Sequence, residues 1–191
     1  MQRRFDVELD AGQIEAMERY WDLLAKWNRR LSLTAVKSYP ELLEFHFFEG
    51  FLAADRLLRA DEGCLADIGA GAGLPGLAFA LLRPALDVRL LESNQRKGVF
   101  LNQAVRACRL NSRVFSGRAE DYTAWDEVDA ASVRALKTSS ALEGMLAERG
   151  IPLLALHGRQ VPVSGRVDYE TEERVRVPGS RNRWVSRLVF R

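Results

Sequence analysis

The sequence predicts an α/β fold: a mostly parallel sheet covered by helices, with an antiparallel edge and an N-terminal helical extension. Three observations point there. Apolar residues recur at helical spacing before Gly63; short apolar runs alternate with helical stretches from Cys64 onward; and two β-like runs flank a PGSRN turn in the tail. Strands that alternate with helices imply βαβ units, whose crossover helices cover both faces of a parallel sheet. A chain of 191 residues suits one well-buried core. Residues 1–62 are therefore expected as an extension of a single domain, and residues 63–191 as its α/β core.

In order along the chain, Ile14, Met17, Tyr20, Trp21, Leu24, Trp27 and Leu31 recur every three or four residues, which is an amphipathic helix. Asp10 and Gln13 are spaced as its capping box. Ser38-Tyr39-Pro40-Glu41 reads as a second helix start, and the apolar set that follows carries helix to about residue 60, where Asp61-Glu62-Gly63 breaks it. Strands are expected at 64–68, 87–92, 112–116, 128–133 and 151–156, with helices near 74–83, 95–110 and 138–149. The runs at about 165–177 and 184–190, joined by PGSRN, make an antiparallel hairpin at the sheet edge the simplest ending.

Composition excludes little. The formal charge of +2 favours no partner by itself, although residues 63–191 carry 19 basic against 14 acidic residues where residues 1–62 carry 9 against 12. A mildly basic second part permits an anionic partner such as a nucleic acid. The chain holds no apolar run of about 18 residues, so no membrane span is expected. MQRRFDVELD lacks an apolar stretch after Arg3 and Arg4, so no secretory leader is expected either. Cys64 and Cys108 lie outside any CxxC pattern and read as structural thiols of a reducing cytoplasm. They share no ligand spacing with His46 and His157, so no metal is expected.

Residues 65–76, LADIGAGAGLPG, carry the chemistry. A strand must turn sharply into a helix there while letting a ligand come close, and glycine serves both needs. Pro75 suits the first helical turn, where its missing N–H costs nothing. Gly71-x-Gly73-x-x-Gly76, with Glu92 about twenty residues on, formally matches a dinucleotide fingerprint. The same loop also reads Asp67-x-Gly69-x-Gly71-x-Gly73, the glycine loop of S-adenosylmethionine-dependent methyltransferases, with an acid that can answer the cationic methionine end. Glu92 could accept ribose hydroxyls in either reading. Asp67 tips the balance to S-adenosylmethionine, since that position is usually apolar in dinucleotide sites.

Distant segments read together make the pattern specific. KWN at 26–28 and LTAV at 33–36 precede His46, the loop, and RPALDVRLLESNQRKGVFL. Gly117-Arg118-Ala119-Glu120-Asp121-Tyr122, Val133-Arg134-Ala135 and Leu154-Ala155-Leu156-His157-Gly158 follow. From about residue 13 to 160 the chain resembles the glucose-inhibited division protein B family, bacterial methyltransferases of guanine N7 in 16S ribosomal RNA. The resemblance implies a Rossmann-like class I S-adenosylmethionine-dependent methyltransferase fold. It implies cofactor contacts at Gly69 and Leu74 beside Asp67, Gly71 and Gly73, a ribose-binding acid at Glu92, adenine-side contacts at Ala119 and Glu120, and a basic site residue at Arg134. It further implies a small-ribosomal-subunit substrate, with a monomeric, cytoplasmic enzyme as the expectation.

Three positions depart from that family. His157 stands where lysine is common, exchanging a fixed charge for a group mostly neutral near pH 7, and Arg159 could substitute for it. Phe45 stands where arginine is common, and Lys137-Thr138-Ser139 replaces a more apolar stretch. Arg134 and His157 are expected to position the substrate, and His46, Lys137 and Arg159 to meet RNA. Plainer readings sit beside these: Arg134 as an arginine pairing Glu120 or Asp67, His46 as a packed histidine, Trp27 as core rather than an RNA-stacking partner of Arg29 and Arg30. Guanine N7 offers an in-plane lone pair and no proton, so no general base is required and positioning is the work expected. A small-molecule methyltransferase, a dinucleotide-dependent oxidoreductase and a non-catalytic ribosome-binding module are the rival readings.

Overall fold

The computed structural model describes residues 7–191. Arg3 and Arg4, on which the leader expectation rests, lie outside the described residues. Helix α1 (Ala11–Leu31) starts as the capping box requires: Gln13 N donates to Asp10 Oδ1 and Asp10 N donates to Gln13 Oε1, each at 2.8 Å. Its stripe buries Met17, Tyr20 and Leu24, whereas Ile14 turns out to solvent. Gln13 Nε2 donates to the Leu81 carbonyl at 2.7 Å and Arg19 Nε to that of Ala107 at 2.9 Å. The extension is thereby tied to two helices of the α/β part, and one apolar core runs through both.

The second helix is not continuous. It begins at the expected Ser38 cap as α2 (Tyr39–Leu42), widens into a π-helical turn over Leu43–Phe47 and resumes as α3 (Phe48–Arg56). Phe48 N donates to the Leu43 carbonyl, the i→i+5 bond of a π turn. The extra residue lets Phe47, Phe48 and Phe51 all point inward while Phe45 faces solvent. Helix ends at Arg56 rather than near residue 60, and the freed carbonyls of Leu57 and Leu58 accept from Arg187 and Arg83.

Beyond Gly63 the elements are β1 (Cys64–Ile68), α4 (Gly76–Leu82), β2 (Asp87–Glu92), α5 (Gln95–Cys108), β3 (Ser112–Ser116), β4 (Ala130–Arg134), α6 (Ser140–Arg149), β5 (Leu153–His157), β6 (Tyr169–Arg176) and β7 (Trp184–Phe190). Strands β1, β2 and β3 match the expected spans. Strands β4 and β5 start two residues late because Val128 closes a 3₁₀ turn, and because Pro152 only lends its carbonyl to Ala131 N. Seven strands form one sheet in the order β3-β2-β1-β4-β5-β7-β6, parallel through β5 and antiparallel at the β7–β6 edge, as expected. The chain winds outward from β1 through β2 to β3, then crosses back to β4. The crevice beyond the carboxyl ends of β1 and β4 is thus the switch point at which such open sheets bind ligands.

Candidate active site

The β1–α4 loop is held in shape by three carboxylate or phenol side chains behind it. Gly71 N donates to Glu92 Oε2 at 2.8 Å, and Gly76 N to Asp67 Oδ2 at 3.0 Å. The Tyr20 hydroxyl, arriving from α1, donates to the Ala72 carbonyl at 2.6 Å. Gly69, Gly71 and Gly73 all adopt positive φ. Gly69 (φ +67°) and Gly73 (φ +91°) are also sterically constrained, since a Cβ would lie 2.7 Å from Leu136 Cδ2 at the first and 2.6 Å from Leu77 Cδ1 at the second. Pro75 is the residue before α4 rather than inside its first turn, and the Leu74–Pro75 bond is cis.

Asp67 has a different task from the one expected. Its carboxylate is buried, with Oδ1 accepting from Ser132 Oγ at 2.7 Å, and it lines neither cavity of the site. Burial pushes its carboxyl up to about 6, opposed by the bonds from Ser132 and Gly76. Asp67 therefore shapes the loop from behind. Glu92 is similarly buried and accepts from Gly71 N and, at 2.8 Å, from Asn94 N, each oxygen keeping a second lone pair.

Two hollows open on either side of Gly69. One, of about 350 Å³, lies between the loop and the ends of β4 and β5, and is lined by His46, Leu74, Arg134, His157 and Arg183 among others. The other, of about 270 Å³, lies towards β2 and β3, where Ser93, Ala119, Glu120, Leu136, Lys137 and Ser139 contribute. Ser139 Oγ donates to Glu120 Oε1 at 3.1 Å across that second hollow. The structure so brings together Gly69, Gly71, Leu74, His46, Arg134 and His157 around the first space, and Gly69, Ala119, Glu120 and Lys137 around the second. Gly73 lines neither, its N–H being turned back to the Ala70 carbonyl at 2.6 Å.

Arg134, the last residue of β4, pairs with neither Glu120 nor Asp67. Its Nη2 lies 3.3 Å from Glu49 Oε2 and donates to the Phe45 carbonyl at 3.1 Å, while Nη1 donates to His46 Nδ1. Glu49, almost wholly buried, also binds Arg183 through both its carboxylate oxygens. Burial raises the Glu49 pKa and both arginines pull it back down. Two guanidinium groups thus share one carboxylate at the rim of the first hollow. Burial, helped by Arg134 and Arg183, depresses His46 to about 3, so its ring is neutral near pH 7. A guanidinium can only donate, so Nδ1 is the acceptor and the His46 proton sits on Nε2. Ala135 follows at φ +53°, a left-handed conformation unusual for alanine, placed at the wall of the cavity.

The structure shows what holds the two residues expected at the end of the fifth strand. His157 lines the first hollow, yet both ring nitrogens are engaged, Nδ1 with the Gly158 carbonyl at 2.8 Å and Nε2 with Ser186 Oγ at 2.9 Å. Burial lowers its pKa, so it offers a neutral wall rather than a free polar group. Arg159 does not stand in for the missing lysine: its Nε donates to Asn182 at 3.2 Å and it lines neither hollow. Arg183, from the turn before β7, brings the charge instead. Sequence reading missed Arg183, Glu49 and Tyr20. Glu49 left a signal, as the one acid inside the apolar run FHFFEGFLAA; Arg183 left none, because only the hairpin carries it to β4.

The sequence profile described as rRNA small subunit methyltransferase G matches residues 13–170. A protein of Xanthomonas campestris pv. campestris (strain B100) named Ribosomal RNA small subunit methyltransferase G is 37% identical over 154 residues, covering 78% of this chain and 71% of its own. A protein of the same name from Chromobacterium violaceum is 32% identical over 165 residues, covering 86% and 76%. Among solved structures, the mitomycin 7-O-methyltransferase MmcR superposes with a TM-score of 0.60 at 13% identity, over 91% of this chain and 68% of its own. A Pyrococcus abyssi tRNA (uracil-54, C5)-methyltransferase in complex with S-adenosyl-L-homocysteine gives 0.56 at 12% identity, over 73% and 36%. At these identities the structural likeness speaks for the fold alone.

Proposed function

The chain belongs to the rRNA small subunit methyltransferase G family, and from that premise we propose that it transfers a methyl group from S-adenosylmethionine to N7 of a guanine in 16S rRNA. The observation that carries this reading is the pair of hollows meeting at Gly69, one of them rimmed by two arginines that share a single carboxylate. A nucleoside cofactor with a charged tail fits such a pair. Its adenine would lie against Ala119 and Glu120, its ribose near Glu92, and its methionine end across Gly69, where any Cβ would collide with Leu136.

When bound, S-adenosylmethionine supplies an electrophilic methyl group on a sulfonium. The chain's own residues then have to align and desolvate. Arg134, held by Glu49, His46 and the Phe45 carbonyl, presents a fixed cation at the cavity wall for an RNA phosphate or for guanine O6. A bidentate arginine on O6 and N7 would block the nucleophile, so the contact is to O6 alone or to phosphate. Neutral His46 has no protein partner for Nε2–H among the described residues, and that group can donate to O6 without touching N7. Leu74 and His157 supply walls that exclude water. N7 bears no proton, so the neutral histidines are consistent with a site that needs no general base. The reading takes the enzyme as a cytoplasmic monomer.

Labelled S-adenosylmethionine incubated with unmethylated small ribosomal subunits, or with naked 16S rRNA, tests the proposal. Label mapped to N7 of one guanine is the expected result. Absence of label from both RNA substrates would overturn it.

A further inference from the structure

Away from the two hollows of the site, a surface cavity of about 470 Å³ is lined by Lys26, Trp27, Arg29 and Arg30 on the last turns of α1. Lys26, Arg29 and Arg30 are exposed, and among the described residues none of them joins an ion pair. Contacts between α1 and α5 define what lies next to them. Arg19 reaches the Ala107 carbonyl, and the Trp27 indole N–H donates to Gln103 Oε1 at 3.1 Å. The two helices therefore run antiparallel, and their register puts the end of α1 level with the first turn of α5. That turn carries Arg96 and Lys97, which are likewise outside any ion pair among the described residues.

Helix electrostatics account for only part of this cluster. Arg29 and Arg30 lie in the last turn of α1, where the helix dipole favours cations. Arg96 and Lys97 lie in the first turn of α5, where it favours acids, and that turn has none. Among the described residues these five cations join no ion pair, and like charges on adjoining helix ends repel one another. The strip also leads into the site. Leu33 and Thr34, just beyond the Ser32 cap of α1, line the first hollow, and Asn28 clips Thr34 to α1 through bonds of 2.8 and 2.9 Å.

We propose that Lys26, Arg29, Arg30, Arg96 and Lys97 form a docking strip for the RNA backbone that flanks the target nucleotide. A row of cations beside an aromatic wall is the pattern that binds single-stranded nucleic acid, with phosphates on the cations and a base against the ring of Trp27. An acidic protein would answer the charge, but not the aromatic hollow or the direct run of the strip into a nucleotide-sized cavity. The proposal rests on the RNA reading of the site.

Binding of unmethylated 16S rRNA, measured against salt, tests it on the full chain. The K26E/R29E/R30E variant should bind at least about tenfold more weakly, with the slope of log K against log salt reduced by about 2, on the basis of about 0.7 per lost phosphate contact. R96E/K97E should show a smaller loss of the same kind. Both should keep wild-type affinity for S-adenosylmethionine and wild-type thermal unfolding, and neutral K26Q/R29Q/R30Q should fall between. Wild-type RNA affinity and salt slope in the charge-reversed variants, while the wild-type enzyme binds and methylates RNA, would overturn the strip alone. A wild-type enzyme that neither binds nor methylates the RNA would overturn the functional reading and the strip with it.

Discussion

Two arginines of the same sheet, Arg187 buried and Arg134 half-buried, keep different electrostatic company. Arg187, on β7, meets both oxygens of Glu62 at 2.6 and 3.3 Å, Glu172 at 2.9 Å and the Leu57 carbonyl at 2.9 Å. Arg134, at the end of β4, has a single carboxylate at 3.3 Å and shares it with Arg183. At the hairpin edge Arg187 has Glu62 to itself as a side-chain ion pair and shares Glu172 with the exposed Arg59, so charge is balanced there and β7 is stapled to the end of α3. At the crevice the cations outnumber the carboxylate, which leaves positive charge facing a cavity. Burial disfavours the Arg134 cation, yet a guanidinium stays protonated in proteins, so the excess charge persists. The local charge balance is what sets the arginine that staples the sheet apart from the one proposed to meet substrate.

The comparison breaks most visibly at its structural arm. Arg187→Ala should cost about 3–5 kcal/mol in chemical unfolding, because Glu62 is left buried without its partner. Methyl transfer per folded molecule should stay at the wild-type rate. A loss below about 1 kcal/mol, the range of exposed pairs, would equate the two arginines.

Asp67 carries the next effect, in the pH dependence of stability. Its folded pKa is raised from the ordinary 3.8 to about 6, so the folded state binds the extra proton. Stability is therefore greatest below the unfolded value and falls as pH rises through about 4 to 6, by about 3 kcal/mol. Asp67→Asn can still accept from Gly76 N and meet Ser132, and the difference between it and wild type across that window should isolate the term. His46 works with the opposite sign: its pKa is depressed to about 3, so its contribution is present above about 6.5 and lost as pH falls. His46→Gln should remove that acid lability.

At the functional arm, Arg134→Ala should slow methyl transfer about 100-fold, equivalent to about 2.7 kcal/mol of barrier, while thermal unfolding hardly moves. Glu49 keeps Arg183 in that variant. Undiminished turnover would remove Arg134 from the site. The smallest change is expected from Tyr20→Phe, which deletes the donor to the Ala72 carbonyl and should cost about 1–2 kcal/mol. Calorimetry should show a several-fold weaker S-adenosylmethionine complex as the loop loosens.

Much of the frame was legible in the sequence because it is written in local chemistry. The Asp10–Gln13 box, the Ser38 cap, the first three strands and the tail hairpin all follow from side-chain periodicity and turn residues within a few positions of one another. The π turn over Leu43–Phe47 was not legible, since it arises from the need to bury three phenylalanines against α4 and the sheet rather than from any residue in the turn. Site residues divided the same way. The glycines, Ala119 and Glu120 stand at strand ends and loops that the pattern marks. The partner of Arg134 depended on Glu49 and Arg183, which lie 85 and 49 positions away along the chain.

By itself, then, the sequence determined the order of elements, the glycine loop and which strand ends face the crevice, because backbone propensity and apolar period act over short range. The tertiary structure decided how charges are shared. It turned Asp67 inward to brace the loop, occupied both nitrogens of His157, sent Arg159 aside and brought Arg183 to the rim in its place. Electrostatic and hydrogen-bond partners are chosen in space, where burial fixes which groups must satisfy one another, and no local spacing records that choice.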